Sequence, residues 1–193
     1  MTAIDIESRL RLVVEALPAG LRDHVLRVES ESDRLARLHG IDSSRARLAA
    51  LGHDLVRHLK GNELLALATR YEIVPDGVEL ASPILTHGPI AARILALDYG
   101  IEDTEILDGI DCHTTARAGM TALEKVLFVA DKIDGNKISR SPELAEVRDL
   151  APSSLDEAVL RYLDFNLEEA VRRRWQVHPR SLEARNELIA RLV

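Results

Sequence analysis

The stretch Ala49-Ala50-Leu51-Gly52-His53-Asp54-Leu55 places an adjacent imidazole and carboxylate inside an apolar run of helix-forming residues. An unpaired carboxylate is costly to bury, so this dipeptide calls for a hydrogen-bonding partner or a cation. Four more residues follow the same logic. Asp131 ends the apolar run Val126-Leu127-Phe128-Val129-Ala130, His24 lies on an amphipathic stretch, His87 precedes Gly88-Pro89, and His113 precedes Thr114-Thr115. Imidazole nitrogen and carboxylate oxygen, with no thiolate, suit divalent transition metals. His24, His53, Asp54, His87, His113 and Asp131 therefore read as the ligands of one metal centre. Steps of 29, 34, 26 and 18 residues separate positions 24, 53, 87, 113 and 131, so each ligand comes from a different helix or helix end. A helical bundle can gather such side chains inward on rigid elements.

A lone histidine on a helix is more often a surface or satisfied core residue than a ligand. The apolar setting of His53-Asp54 and of Asp131 sets them apart. His39, in a Leu-His-Gly helix terminus, and His178, before a proline, read as structural. His58, one turn after Asp54, is a peripheral candidate, and Cys112 reads as a small core residue.

Outward from this stretch the pattern is helical almost throughout. Ile6, Leu10, Val13 and Leu17 mark a first helix, stopped at Pro18-Ala19-Gly20, and Leu21 to Leu38 a second, ended by His39-Gly40. Ser43 or Ser44 is placed to cap a third, which runs through the His-Asp pair. A short helix over 63–71 precedes a turn at Val74-Pro75-Asp76-Gly77, and 78–86 is the least regular segment. Pro89 suits the first turn of a helix reaching Asp98, and another spans 103–112. Thr121-Ala122-Leu123-Glu124 has the form of a capping box opening the helix that carries Asp131. Ser154-Leu155-Asp156-Glu157 repeats the device before a long helix to Arg174, and a last helix covers 181–192. The expectation is an all-α, compact helical bundle in one domain over 1–193. Its metal-site core covers about 20–137, with C-terminal helices over about 142–193 packing on it.

Bulk properties narrow the function. Hydrophobic content of 46% and charged content of 30% are ordinary for a globular protein, and aromatics at 3% favour helices over a β-sandwich. A formal charge of −7 argues against a general nucleic-acid binder, though a metal site makes its own field for a small anionic substrate. The single cysteine excludes an internal disulfide framework. No signal peptide is read at the N-terminus, and no stretch approaches the ~18 apolar residues of a membrane span. A cytoplasmic protein is expected, and a homodimer is compatible with the sequence without being decided by it.

The order His … His-Asp … His … His … Asp resembles the HD-domain phosphohydrolases. The flanking residues are similar to the YqeK branch: Thr86-His87-Gly88-Pro89, His113-Thr114 with Arg117-Ala118-Gly119-Met120, Val129-Ala130-Asp131-Lys132-Ile133, and the late His178-Pro179-Arg180. The resemblance spans about 20–190 and implies an HD-domain bundle that hydrolyses diadenosine tetraphosphate symmetrically to two ADP at a two-iron centre. It implies that the six residues are the metal positions, with Asp54 bridging both metals, and that Arg117 lies near the phosphates. The His/Asp set also accepts manganese, cobalt, nickel or zinc.

Arg57 stands where the family usually has lysine, still a cation one turn beyond His53. Asp134-Gly135-Asn136-Lys137 stands where an acidic residue, proline, a variable residue and arginine are usual. Asp54 and Arg57 are the expected catalytic residues, and Arg57, Arg117, Lys132 and Lys137 the expected substrate contacts. Two metals sharing Asp54 would lower the pKa of a water that attacks phosphorus in line. The alternatives are a nucleoside mono- or triphosphate phosphohydrolase on the same scaffold, or a non-catalytic nucleotide-sensing module.

Overall fold

A computed structural model describes residues 3–192, with side chains from Ile6 onward. The described residues form twelve α-helices: α1 Ala3–Ala16, α2 Ala19–Leu38, α3 Ser43–Gly52, α4 Gly61–Arg70, α5 Gly77–Ala81, α6 His87–Leu97, α7 Thr104–Cys112, α8 Ala122–Lys132, α9 Gly135–Arg140, α10 Leu144–Leu150, α11 Leu155–Arg173 and α12 Pro179–Leu192. A 3-10 turn, Pro83–Thr86, leads directly into α6. No strand occurs among the described residues, as the all-α expectation required. None of these helices is long and apolar enough to cross a membrane.

Helix α8 is the axis of the fold. Every residue from Leu123 to Lys132 is buried, because α2, α3, α7, α10 and α11 pack around it. A helix buried all round must satisfy its polar residues internally. Glu124 receives Arg117, Lys125 meets Asp156, and Lys132 donates to Asp131 and to the His113 carbonyl. Around this axis α2 lies on α3, α7 bridges α3, α6 and α8, and α11 joins α8 to α10 and α12.

Several local expectations change. Asp42, not Ser43 or Ser44, caps α3, accepting from the Ser44 and Arg45 backbone N–H groups. A residue earlier by one position gives the carboxylate the extended backbone an N-cap needs. The third helix does not run through the His-Asp pair: it ends at Gly52, and the Arg57 N–H bonds back three residues to the Asp54 carbonyl. The capping box at Thr121 is half formed. Thr121 accepts from the Glu124 N–H, but the Glu124 carboxylate turns to the Arg117 guanidinium, a charged and therefore stronger donor. Ser154 caps α11 as read.

The irregular segment 78–86 contains α5 and the 3-10 turn, and the Asp134–Lys137 loop is the start of α9, capped by Asp134. Helix α10 has no counterpart in the sequence reading. Seven residues are too few to show a period, and Leu144 and Val147 become helical by packing on α11.

Candidate metal centre

His24 stands in the second turn of α2, His53 and Asp54 just past the end of α3, and His87 at the junction of the 3-10 turn with α6. His113 follows α7, and Asp131 comes from the last turn of α8. All six are buried. The ring nitrogens converge on the two carboxylates. His24 Nε2 is 3.0 Å from Asp131 Oδ1 and 3.5 Å from Asp54 Oδ2, while His87 Nε2 is 3.0 Å from Asp54 Oδ1. His53 and His113 approach Asp54 at 3.4 and 3.6 Å.

The opposite nitrogens explain this orientation. The Nδ1 of His53 donates to Ala50 O at 2.6 Å and that of His113 to Ile110 O at 2.7 Å. His87 Nδ1 donates to Ile84 O in the same three-residue pattern. His53 and His113 sit where a helix ends, so the carbonyl three residues back is released from the helix ladder, whereas the Ile84 carbonyl also accepts from the His87 backbone N–H. With Nδ1 protonated, the neutral rings present bare lone pairs at Nε2.

Those lone pairs face carboxylate oxygens, and His87 Nε2 faces His113 Nε2 at 3.0 Å. Acceptor thus faces acceptor throughout the site. His24 Nε2, His53 Nε2 and both Asp54 oxygens are buried without a hydrogen-bond partner. A nest of unpaired acceptors of this kind is stable only around cations, and two groups in it, His24–His53–Asp131 and His53–Asp54–His113, have metal-ligand spacing.

Burial and neighbouring charge shift the ionisation of these groups. Burial pushes the His113 imidazole down to about 3. Burial opposes charge on His53 most strongly, but Asp54, Asp131 and the Ala50 carbonyl together hold it above the ordinary value. Burial raises Asp54, yet His53, His113 and His87 together hold it well below the carboxylate range.

The site opens into a cavity of about 850 Å³. Arg57, Lys132, Lys137 and Arg140 line it near the His-Asp cluster, and Tyr162, Phe165, Trp175 and His178 line it from the C-terminal elements. Arg57 is 43% exposed, with Nε 3.6 Å from Asp54 Oδ2. Lys137 Nζ lies 2.5 Å from Asp131 Oδ1, and Lys132 Nζ lies between Asp131 Oδ2 and the ring faces of Phe128 and Tyr162. Burial would raise Asp131, but these two lysines hold it well below its usual range.

Arg117 is placed differently from the other cations. Its guanidinium forks Glu124 at 2.6 and 2.8 Å and meets Asp108 at 3.1 Å, and it does not line the cavity. The reason is the fully buried Glu124 carboxylate, which needs that charge. His58 is exposed, and His39 Nε2 bonds to the Ala151 carbonyl. Cys112 is buried among core residues. The sequence reading omitted Arg140, the aromatic residues of α11, Trp175 and the cavity face of His178. No local pattern marks them, since the packing of α11 and α12 alone brings them to the site.

Residues 21–136 match the HD domain family. The chain is 35% identical to a bis(5'-nucleosyl)-tetraphosphatase, symmetrical, of Staphylococcus aureus over 81% of this chain and 80% of that one. A protein of the same name from Bacillus subtilis is 32% identical over 95% of this chain and 97% of that one. The crystal structure of a "predicted HD superfamily hydrolase involved in NAD metabolism" from Clostridium acetobutylicum superposes with a TM-score of 0.89 at 27% identity, covering 96% of this chain and 97% of that one. A family model covering residues 21–136, an all-helical scaffold and relatives matched over most of their length lead to one assignment: the chain belongs to the HD-domain family, in the branch whose curated members are named symmetrical bis(5'-nucleosyl)-tetraphosphatases.

Proposed function

We propose that this protein is a metal-dependent phosphohydrolase that splits dinucleoside tetraphosphates at the centre, taking diadenosine tetraphosphate to two ADP. The observation that carries the reading is the set of buried acceptors without donors at His24, His53 and Asp54, opening into a cavity lined by cations. The names of the matched relatives supply the substrate class. His24, His53, His87, His113, Asp54 and Asp131 would hold two divalent ions. When bound, the metals supply Lewis acidity toward phosphoryl oxygens and activate a water molecule.

The remaining work falls to side chains of the chain. Arg57, Lys137 and Arg140 meet the negative charge of the polyphosphate along the cavity wall. Lys132, buried between Asp131 and the His113 carbonyl, holds the Asp131 carboxylate in place. Lys137, within reach of Asp131, also lines the cavity and offers its charge to phosphate there. ADP leaves without a dedicated general acid.

Metal-loaded protein with diadenosine tetraphosphate in oxygen-18 water tests the reading. Chromatography should show ADP as the only nucleotide product, and mass spectrometry should find the label in it. Equal ATP and AMP would replace the central cleavage by an asymmetric one. Release of inorganic phosphate from mono- or triphosphates, with the dinucleotide untouched, would replace the substrate class.

A further inference from the structure

Three of the four site histidines are oriented by the backbone, and His24 is not. It lies within α2, where the carbonyl three residues back is engaged in the helix ladder rather than released at an end. Its Nδ1 instead donates to Asp134 Oδ2 at 2.8 Å, across 110 residues of sequence. Asp134 is 7% exposed and is gripped on its other side by Arg27, one turn after His24 on the same face of α2, through Nε at 2.7 Å and Nη2 at 3.1 Å. The same carboxylate accepts from the Asn136 N–H and so starts α9, the helix that carries Lys137 and Arg140 to the cavity.

We infer that Asp134 is the positioning residue for His24, fixing its ring so that Nε2 faces Asp54 and Asp131, and that metal affinity at the His24 side of the centre depends on this carboxylate. The inference rests on the metal-centre reading above. A ring with no partner at Nδ1 is free to rotate or to carry its proton at Nε2, and either change removes one ligand. An ionised partner also strengthens the imidazole as a donor to metal, whereas the backbone carbonyls behind His53, His87 and His113 do so without a charge. Arg27 matters one step further out. It holds the carboxylate aimed, while its own guanidinium is substantially exposed.

Asp134→Asn separates positioning from folding, because asparagine is as good an N-cap as aspartate and keeps α9 started. The probe is Co2+ titrated into chelator-stripped full-length protein, followed by calorimetry and by visible absorption. Asp134→Asn should bind Co2+ about 10- to 100-fold more weakly in its tightest phase and shift the absorption spectrum. Circular dichroism of the metal-free protein should be unchanged. Arg27→Gln, which keeps the carboxylate, should lose less.

Equal affinity in Asp134→Asn and wild type overturns the inference, as does a larger loss in Arg27→Gln. A fall in affinity that merely tracks a smaller folded fraction, with the Co2+ spectrum unaltered, overturns it too. A wild type that takes up no Co2+ overturns the metal centre itself, and the inference with it.

Discussion

Replacing Arg117 by alanine distinguishes a substrate contact from a structural one. In the structure this guanidinium is the charged partner of Glu124, which is 0% exposed, while Arg117 itself is 34% exposed. Removing one member of a buried ion pair strands the other, at about 3–5 kcal/mol when both are enclosed. Water can enter from the exposed arginine side, which lowers the expected cost to about 2–3 kcal/mol. For a chain of this length each kcal/mol moves Tm by about 2–4 °C, so Arg117→Ala should melt roughly 4–12 °C below wild type. The bridge from Arg117 to the exposed Asp108 adds little.

Replacing the stranded carboxylate should recover part of the loss, so Arg117→Ala/Glu124→Gln should melt above Arg117→Ala. The assay is thermal denaturation of metal-free protein, paired with diadenosine tetraphosphate hydrolysis at a temperature where all variants are folded. There kcat/KM of Arg117→Ala should stay within about threefold of wild type. An unchanged Tm with a hydrolysis rate lowered by about thirtyfold or more would refute this reasoning and return Arg117 to the phosphates.

Other variants probe the rest of the site. Asp54→Ala should lose most bound metal, because its two oxygens face histidines on both sides of the cluster; metal analysis showing full occupancy would reject the assignment. Arg57→Ala should keep its metal and lose about tenfold in rate, the lower end for one charge-assisted contact given the exposure of the side chain, and Arg57→Lys should regain most of it. An unaltered rate in Arg57→Ala would leave that residue a surface cation.

Gly88→Ala should cost about 1–3 kcal/mol, since a Cβ there would stand 2.8 and 2.9 Å from the Ile110 and Asp111 carbonyl oxygens and 3.2 Å from His113 Nδ1. Its metal affinity should fall as α6 and α7 are pushed apart, and a wild-type Tm would contradict the close approach. Cys112, fully buried, should resist a thiol reagent in native protein and react in denaturant. Rapid native labelling would show that α7 opens.

The helical pattern and the inward set of site residues were legible in the sequence because both rest on local chemistry. Apolar periodicity places helices, a threonine or serine before an acidic residue starts them, and a carboxylate in an apolar run announces a partner or a cation wherever the chain leads. The end of α3 at Gly52 and the role of Asp134 were not legible. The second depends on α9 returning to α2 across 110 residues.

Arg117 shows the same division from the other direction. The family resemblance implied a phosphate contact, but the buried Glu124 in the first turn of α8 takes up its guanidinium. Which residues could bind metal was thus determined by residue type and local setting in the sequence. Which cations remain to meet a substrate was decided only by the tertiary structure, because a buried countercharge outcompetes an exposed one for the same guanidinium.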